Sequence, residues 1–301
     1  MDLGHYAGGM ADVGVQKDSG GEPKTVLMTL DGARQDPDAP LLHADDQAAL
    51  RGDGVFETIL VRGGLARKLP AHLERLARSA AILELPAPDL DVWAKAATAA
   101  ARAWGGAQEG VLRLVLSRGR ESVLGSTAYL SVSALPERTR RVRESGVAAV
   151  TLERGYSTEL AASSPWLPLG AKTLSYAVNM AAVRHAERLG ADDVIFVSAE
   201  GNVLEGPRST VVIARGRQLL TPPPEQGILA GTTQRALFQE AERRGLGCAY
   251  GPLRPADLIA ADGVWMLSSI ALAITVHTVN GLALATPTLD EQIKSMVATA
   301  I

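Results

Sequence analysis

The alternation of apolar and polar positions divides the chain into short strands and amphipathic helices. TVLMTLDGA (25–33) reads as a strand running into a turn. VFETILVRGGLARKL (55–69) reads as two strands joined at Gly63-Gly64, a hairpin signal. In AHLERLARSAAILEL (71–85), Leu73, Leu76, Ala80 and Leu83 form a helical stripe, ended by the proline-rich PAPD. DVWAKAATAAARAW (91–104) is a second helix, followed by the strands GVLRLVLSRG (110–119) and TAYLSVSAL (127–135). Hairpins with helices in this order give an α+β pattern.

LPERTRR (135–141) is polar and carries a proline, which places a domain junction there. Beyond it VAAVTLE (147–153) is a strand, and GYSTELAASSPWLPLG (155–170) is a long irregular loop of the kind that is either functional or disordered. YAVNMAAVRHAERLG (176–190) is a helix closed by Gly190. Residues 193–222 read as a strand meander turning at Glu200-Gly201 and Arg215-Gly216. GTTQRALFQEAERRG (231–245) is a helix, and residues 263–281 are strand, loop, strand. The division predicted is a mobile tail over 1–23, a smaller α/β domain over 24–136 and a larger domain over 137–301.

Composition narrows the function. The net charge of −3 gives no basic excess for nucleic acid, and the single cysteine, Cys248, excludes an intrachain disulfide and fits a reducing cytoplasm. No apolar run approaches the roughly 20 residues of a membrane span, and the N-terminus does not read as a signal peptide. No metal is expected. One charge stands out. From Leu160 to Val183, Lys172 is the only ionisable acid or base apart from tyrosine. A buried ammonium is costly unless paired or neutral, and a neutral lysine is a nucleophile toward a carbonyl. A lysine that snorkels to water is the plainer reading.

Four further stretches bear on Lys172: RGDGVFET (51–58), HLERL (72–76) with Arg75, GNVLEGPRST (201–210) with Glu205, and GILAGTTQRAL (227–237). Each alone reads as an ordinary turn, surface arginine or helix cap. Their order, with SRG at 117–119 and LSS at 267–269, resembles the fold type IV family of pyridoxal-phosphate enzymes. That family includes branched-chain and D-amino-acid aminotransferases and aminodeoxychorismate lyases.

The resemblance implies a two-domain α/β architecture with the site at the domain interface, in a homodimer that binds pyridoxal 5′-phosphate and a small amino substrate. Lys172 looks like the lysine that holds the cofactor covalently and then moves protons. Glu205 looks like the carboxylate that pairs with the pyridine nitrogen. Arg75, Thr232, Thr233 and Ser269 look like the phosphate cup, and Tyr176 sits where some members place a tyrosine near the 3′ oxygen. A neutral amine, a carboxylate at the ring nitrogen, and an arginine with a helix N-terminus are what such a cofactor needs. The chain departs from many members in having Asp46-Gln47 for an Asp-Arg pair and Arg51 before Gly52, so Arg51 either faces the substrate pocket or packs.

GVLRLVLSRGRES resembles the corresponding strand of the lyases, which makes Arg118 and Arg120 candidates for substrate carboxylate, with Arg113 the lesser one and Phe56 a pocket residue. RESVLGST lacks the Arg-x-His trap of D-amino-acid enzymes, and Thr58 after Glu57 can relay a proton to a leaving enolpyruvate. These features favour aminodeoxychorismate lyase. An aminotransferase is the alternative, since Phe56-Glu57 also occurs in transaminases. A non-catalytic binding protein on this fold is disfavoured because both Lys172 and Glu205 are present.

Overall fold

A computed structural model describes residues 25–301; the expected tail over 1–23 lies outside the described residues. The first half builds one six-stranded sheet from β1 (Thr25–Thr29), β2 (Arg34–Gln35), β3 (Gly54–Arg62), β4 (Leu65–Ala66), β5 (Gly110–Ser117) and β6 (Thr127–Ala134). Its order is β2-β1-β6-β5-β3-β4, antiparallel throughout. A short helix α1 (Gln47–Arg51) precedes β3, and α2 (Leu69–Ile82) and α3 (Leu90–Trp104) cover one face of the sheet. Period-two alternation in β3 sends Val55, Ile59 and Val61 to that face, where they pack with Leu73, Leu76, Trp93 and Leu112. Glu57 points the same way, and Phe56 and Thr58 point to the other face.

Most of LPERTRR is helical: α4 (Glu137–Ser145) starts within it, with Pro136 as its N-cap. The segment hid from the pattern because only Val142 on this helix is buried, so there is no apolar stripe. The second sheet holds β7 (Val147–Glu153), β8 (Asp193–Val197), β9 (Thr210–Arg215), β10 (Gln218–Thr221), β11 (Gly247–Tyr250), β12 (Gly263–Ser268) and β13 (Leu272–Val279), in the order β11-β10-β9-β12-β13-β7-β8. A short β14 (Leu282–Ala283) pairs with β13. Residues 193–222 are therefore no simple meander: β8 pairs in parallel with β7, while β9 lies between β10 and β12.

The parallel pairs need crossovers. α5 (Leu160–Ser163) and α6 (Ala177–Arg188) lie between β7 and β8, and α7 (Thr232–Arg243) lies between β10 and β11. The loop over 155–170 thus contains one short helical turn. α8 (Pro255–Ile259) and α9 (Asp290–Ala300) complete the half. Leu60 of the first sheet is buried in one core with Leu237 of α7 and Ile293 of α9, so the two halves share packing. No helix among the described residues is long and apolar enough to cross a membrane.

Candidate active site

A cavity of about 640 Å³ opens between the two sheets, lined by Phe56, Thr58 and Arg75 from the first half and by Lys172, Tyr176, Glu205, Thr232, Thr233 and Ser269 from the second. The segment carrying Lys172 is fastened to β3 by its main chain. Phe56 N donates to Lys172 O at 3.0 Å, and Leu174 N donates to Gly54 O at 2.8 Å. Gly54 permits this closeness, because a Cβ there would stand 2.7 Å from both Leu116 O and Leu174 Cδ1. The Lys172 N–H also donates to Ser79 Oγ of α2 at 3.0 Å.

With its backbone fixed, the lysine reaches into the cavity. Nζ lies 4.2 Å from the Phe56 ring centroid and 5.5 Å from that of Tyr176. The aromatic faces favour a cation, but removal from bulk water and the Arg75 charge outweigh Glu57 and Glu205 and hold the ammonium at about 8. Glu205 lies beside β8, its carbonyl accepting from Phe196 N at 2.9 Å. Its carboxylate accepts from Leu229 N at 3.2 Å. Desolvation pushes it up to about 7, against the Leu229 N–H and the charges of Arg154, Lys172 and Arg75. A carboxyl in that state can hold a shared proton at a basic ring nitrogen.

Arg75, the start of α7 and Ser269 form a candidate anion cup in the same cavity. The N-cap of α7 is Gly231, whose missing side chain leaves the helix's first N–H groups without a side-chain cap. A Cβ on Gly231 would lie 2.4 Å from Thr210 Oγ1, so only glycine seats the helix start there. The buried Thr233 Oγ1 has no hydrogen-bond partner, and Thr232 Oγ1 lies 3.4 Å from Ser269 Oγ. Arg75 is gripped from behind. Its Nε and Nη2 donate to the two oxygens of Glu57 at 2.7 and 2.8 Å, and Nη1 donates to Ala230 O at 3.1 Å. One N–H on each terminal nitrogen remains for a ligand. An orphaned hydroxyl, an uncapped helix start and a braced guanidinium suit a phosphate.

Tyr176 meets Phe56 edge to face at 5.3 Å and donates its hydroxyl hydrogen to Pro207 O at 2.9 Å. Desolvation and the nearby Glu205 push its phenol up to about 12. Thr58 stands opposite Arg113 in the β3–β5 register, and both line the cavity. Arg118 and Arg120, by contrast, are not in the cavity wall. They lie past the end of β5, where its alternation no longer aims side chains. Arg118 grips Asp53 at 2.6 Å and Leu83 O at 2.7 Å, and Arg120 grips Asp45 at 2.8 Å. Arg51 faces outward and pairs with Glu121.

The chain matches the family model of amino-transferase class IV over residues 54–279. It belongs to that family. It is 52% identical over 285 residues to a Mycobacterium tuberculosis protein named bifunctional aminodeoxychorismate lyase / D-amino acid transaminase, covering 92% of this chain and 99% of that one. Its structure is similar to that of a hypothetical aminotransferase from Mycobacterium tuberculosis in its PLP-bound form, with TM-score 0.90 and 53% identity, covering 92% of this chain and 98% of the other. That protein has also been solved in an alpha-ketoglutarate and PMP bound form. A fold IV transaminase from Curtobacterium pusillum matches with TM-score 0.87 and 38% identity, over 92% of this chain and 98% of that one.

Three residues in or behind the cavity wall escaped the sequence reading. Glu57 and His72 complete the support of Arg75, with His72 Nδ1 2.7 Å from Glu57 Oε2. Their signals were an acid at an inward position of an apolar strand, and a histidine one helical turn before Arg75. Arg154 lines the cavity near Glu205 and lies 4.5 Å over the Phe196 ring. Nothing in LERGY distinguishes it from a surface arginine.

Proposed function

We propose that this class IV protein is a pyridoxal-phosphate enzyme that releases pyruvate from 4-amino-4-deoxychorismate, leaving 4-aminobenzoate, with D-amino-acid transamination as a second activity. The carrying observation is the pairing of Thr58 with Arg113 across the strands, in the same cavity as Lys172. When bound, the cofactor supplies an electron-withdrawing ring that accepts the pair left as a proton leaves the substrate carbon.

Everything else falls to the chain's own groups. Lys172 Nζ, held at about 8, moves between neutral and protonated forms near neutral pH, as a proton shuttle must. Glu205 keeps a proton at the ring nitrogen. Arg75, Thr232, Thr233 and Ser269 hold the phosphate, and Tyr176 borders the ring. Phe56 packs against the lysine and bounds the pocket. Arg113, with Nη1 3.2 Å from Ser133 Oγ, supplies charge for a substrate carboxylate. Arg118 and Arg120 are spent on Asp53 and Asp45 within this chain, which favours Arg113 for that role. The Thr58 hydroxyl relays a proton to the departing enolpyruvate.

Transamination is kept because the Mycobacterium tuberculosis relative carries both activities in its name. The two readings separate in one assay. With no keto acid added, the lyase gives 4-aminobenzoate and pyruvate in equal amounts. Thr58→Val slows pyruvate release about tenfold, the loss of one hydrogen bond in the transition state. No 4-aminobenzoate, with rapid exchange between D-alanine and 2-oxoglutarate, replaces the lyase by the transaminase.

A further inference from the structure

Behind the anion cup stands a histidine that touches no open part of the cavity wall. His72 is 1% exposed and lies on α2 one turn before Arg75. Its Nδ1 lies 2.7 Å from Glu57 Oε2, whose carboxylate also takes two N–H groups of Arg75. A carboxylate so engaged can only accept, so Nδ1 carries a hydrogen and donates. In the neutral ring Nε2 is then a bare acceptor. It faces Ser269 Oγ at 3.2 Å and Thr232 Oγ1 at 3.5 Å, the two hydroxyls of the cup.

Each hydroxyl has one hydrogen. With the cup empty of anion, one of them satisfies Nε2. A dianionic phosphate wants both hydrogens for itself, and a buried Nε2 would then have no donor, which is costly. A proton on Nε2 resolves the conflict. The ring then donates to a hydroxyl lone pair, and both hydroxyl hydrogens turn to the ligand.

We propose that His72 is a positioning residue that takes up a proton when a dianionic phosphate enters the cup, and so turns Ser269 and Thr232 toward it. This rests on the reading of the cup as a phosphate site. The charged groups facing the imidazole are Glu57 from β3, Arg75 from its own helix and Lys172 from the segment on β3; α7 and the turn after β12 offer only Thr232 and Ser269. Burial, Arg75 and Lys172 oppose a charged ring and outweigh Glu57, so the imidazole is held below its usual range. The ligand's two negative charges, arriving on the far side of the hydroxyls, reverse that balance. Glu57 is thereby placed between two cations, Arg75 and the imidazolium, both aimed at one anion.

The test is nitrogen NMR of the imidazoles in the full-length chain near neutral pH. The chain is freed of cofactor, titrated with inorganic phosphate, and compared with the pyridoxal-phosphate-loaded chain. His72 is assigned by its absence in His72→Gln. The expected result is an unprotonated Nε2 without ligand and a protonated Nε2 with either one. Calorimetry in two buffers should show the parent taking up about one proton more per phosphate bound than His72→Gln does. Saturation by phosphate with Nε2 still unprotonated overturns the inference and leaves the cup standing. No phosphate binding at any concentration, with Thr232→Val and Arg75→Gln also leaving cofactor affinity unchanged, removes the cup and the inference together.

Discussion

Glu57 stands behind the cavity wall and Glu205 in it; desolvation pushes both carboxyls up, yet they end on opposite sides of the ordinary value. At Glu57 the charge and N–H groups of Arg75, then His72, overcome burial and hold the acid well below 4.5. Glu205 has one backbone N–H and three cations at a distance, and it stays raised at about 7. The contrast shows that direct hydrogen-bonded cations, rather than nearby ones, decide the state of an enclosed carboxylate. Glu57 serves as a fixed anion that braces Arg75. Glu205 is left able to take up or release a proton near neutral pH.

Breaking the braced side gives the largest effect. Glu57→Ala strands Arg75 in the wall without its counter-ion. The cofactor-free chain should lose about 3–5 kcal/mol in urea unfolding. Added phosphate should recover part of that, since it gives Arg75 another anion. A loss under 1 kcal/mol would mean that the ion pair is ornamental.

The pH dependence of stability sharpens the comparison, because the two glutamates act with opposite signs. The folded chain holds a proton on Glu205 from 4.5 up to about 7, where the unfolded chain has lost it. The contribution of Glu205 to stability therefore falls as pH rises through that window, by about 3 kcal/mol in all, and levels off above it, while neutral His72 acts with the opposite sign in its lower titration range. Glu57 binds fewer protons folded than unfolded, so its contribution is present above 4.5 and is lost as pH falls below. The unfolding free energy of the parent minus that of Glu205→Gln, both without cofactor, should fall as pH rises from 4.5 to 7 and stay level on the acid limb. The same variant, loaded with cofactor, should turn over about a hundredfold more slowly, as for loss of one preorganised electrostatic partner. The smallest change comes from Arg154→Met. Removing that cation should raise Glu205 further and move the upper end of the slope to higher pH.

The legibility of the fold followed the period of its apolar residues. β3 and α2 show alternation and a stripe, and both were readable. α4 was not, since ERTRRVRES buries one side chain and leans on contacts from elsewhere, such as Arg143 to Ile270 O. Neither was the pairing of β7 with β8, which is a long-range choice. Within the site, Lys172 stood out through its isolation in the chain, and Arg75 and Glu205 stood out through the order of motifs. Arg113 and Arg118 differ by five positions on one strand and its exit. Only the register with Thr58 shows that Arg113 faces the cavity while Arg118 turns back to Asp53. His72 acquires its meaning from residues 15 and 197 positions away, a relation no local pattern can carry.

The main-chain fastening of the Lys172 segment has a mechanical consequence. By sequence the lysine belongs to the second half, but its peptide groups are stitched to β3 and α2, whereas Glu205 is stitched to β8. Any sliding of one sheet over the other therefore carries the two groups apart without rupturing a strand ladder in either. The seam between the sheets acts as the ruler that spaces the Lys172 ammonium and the Glu205 carboxyl. Mild denaturant that loosens this seam should silence the enzyme while both sheets still show their full circular dichroism.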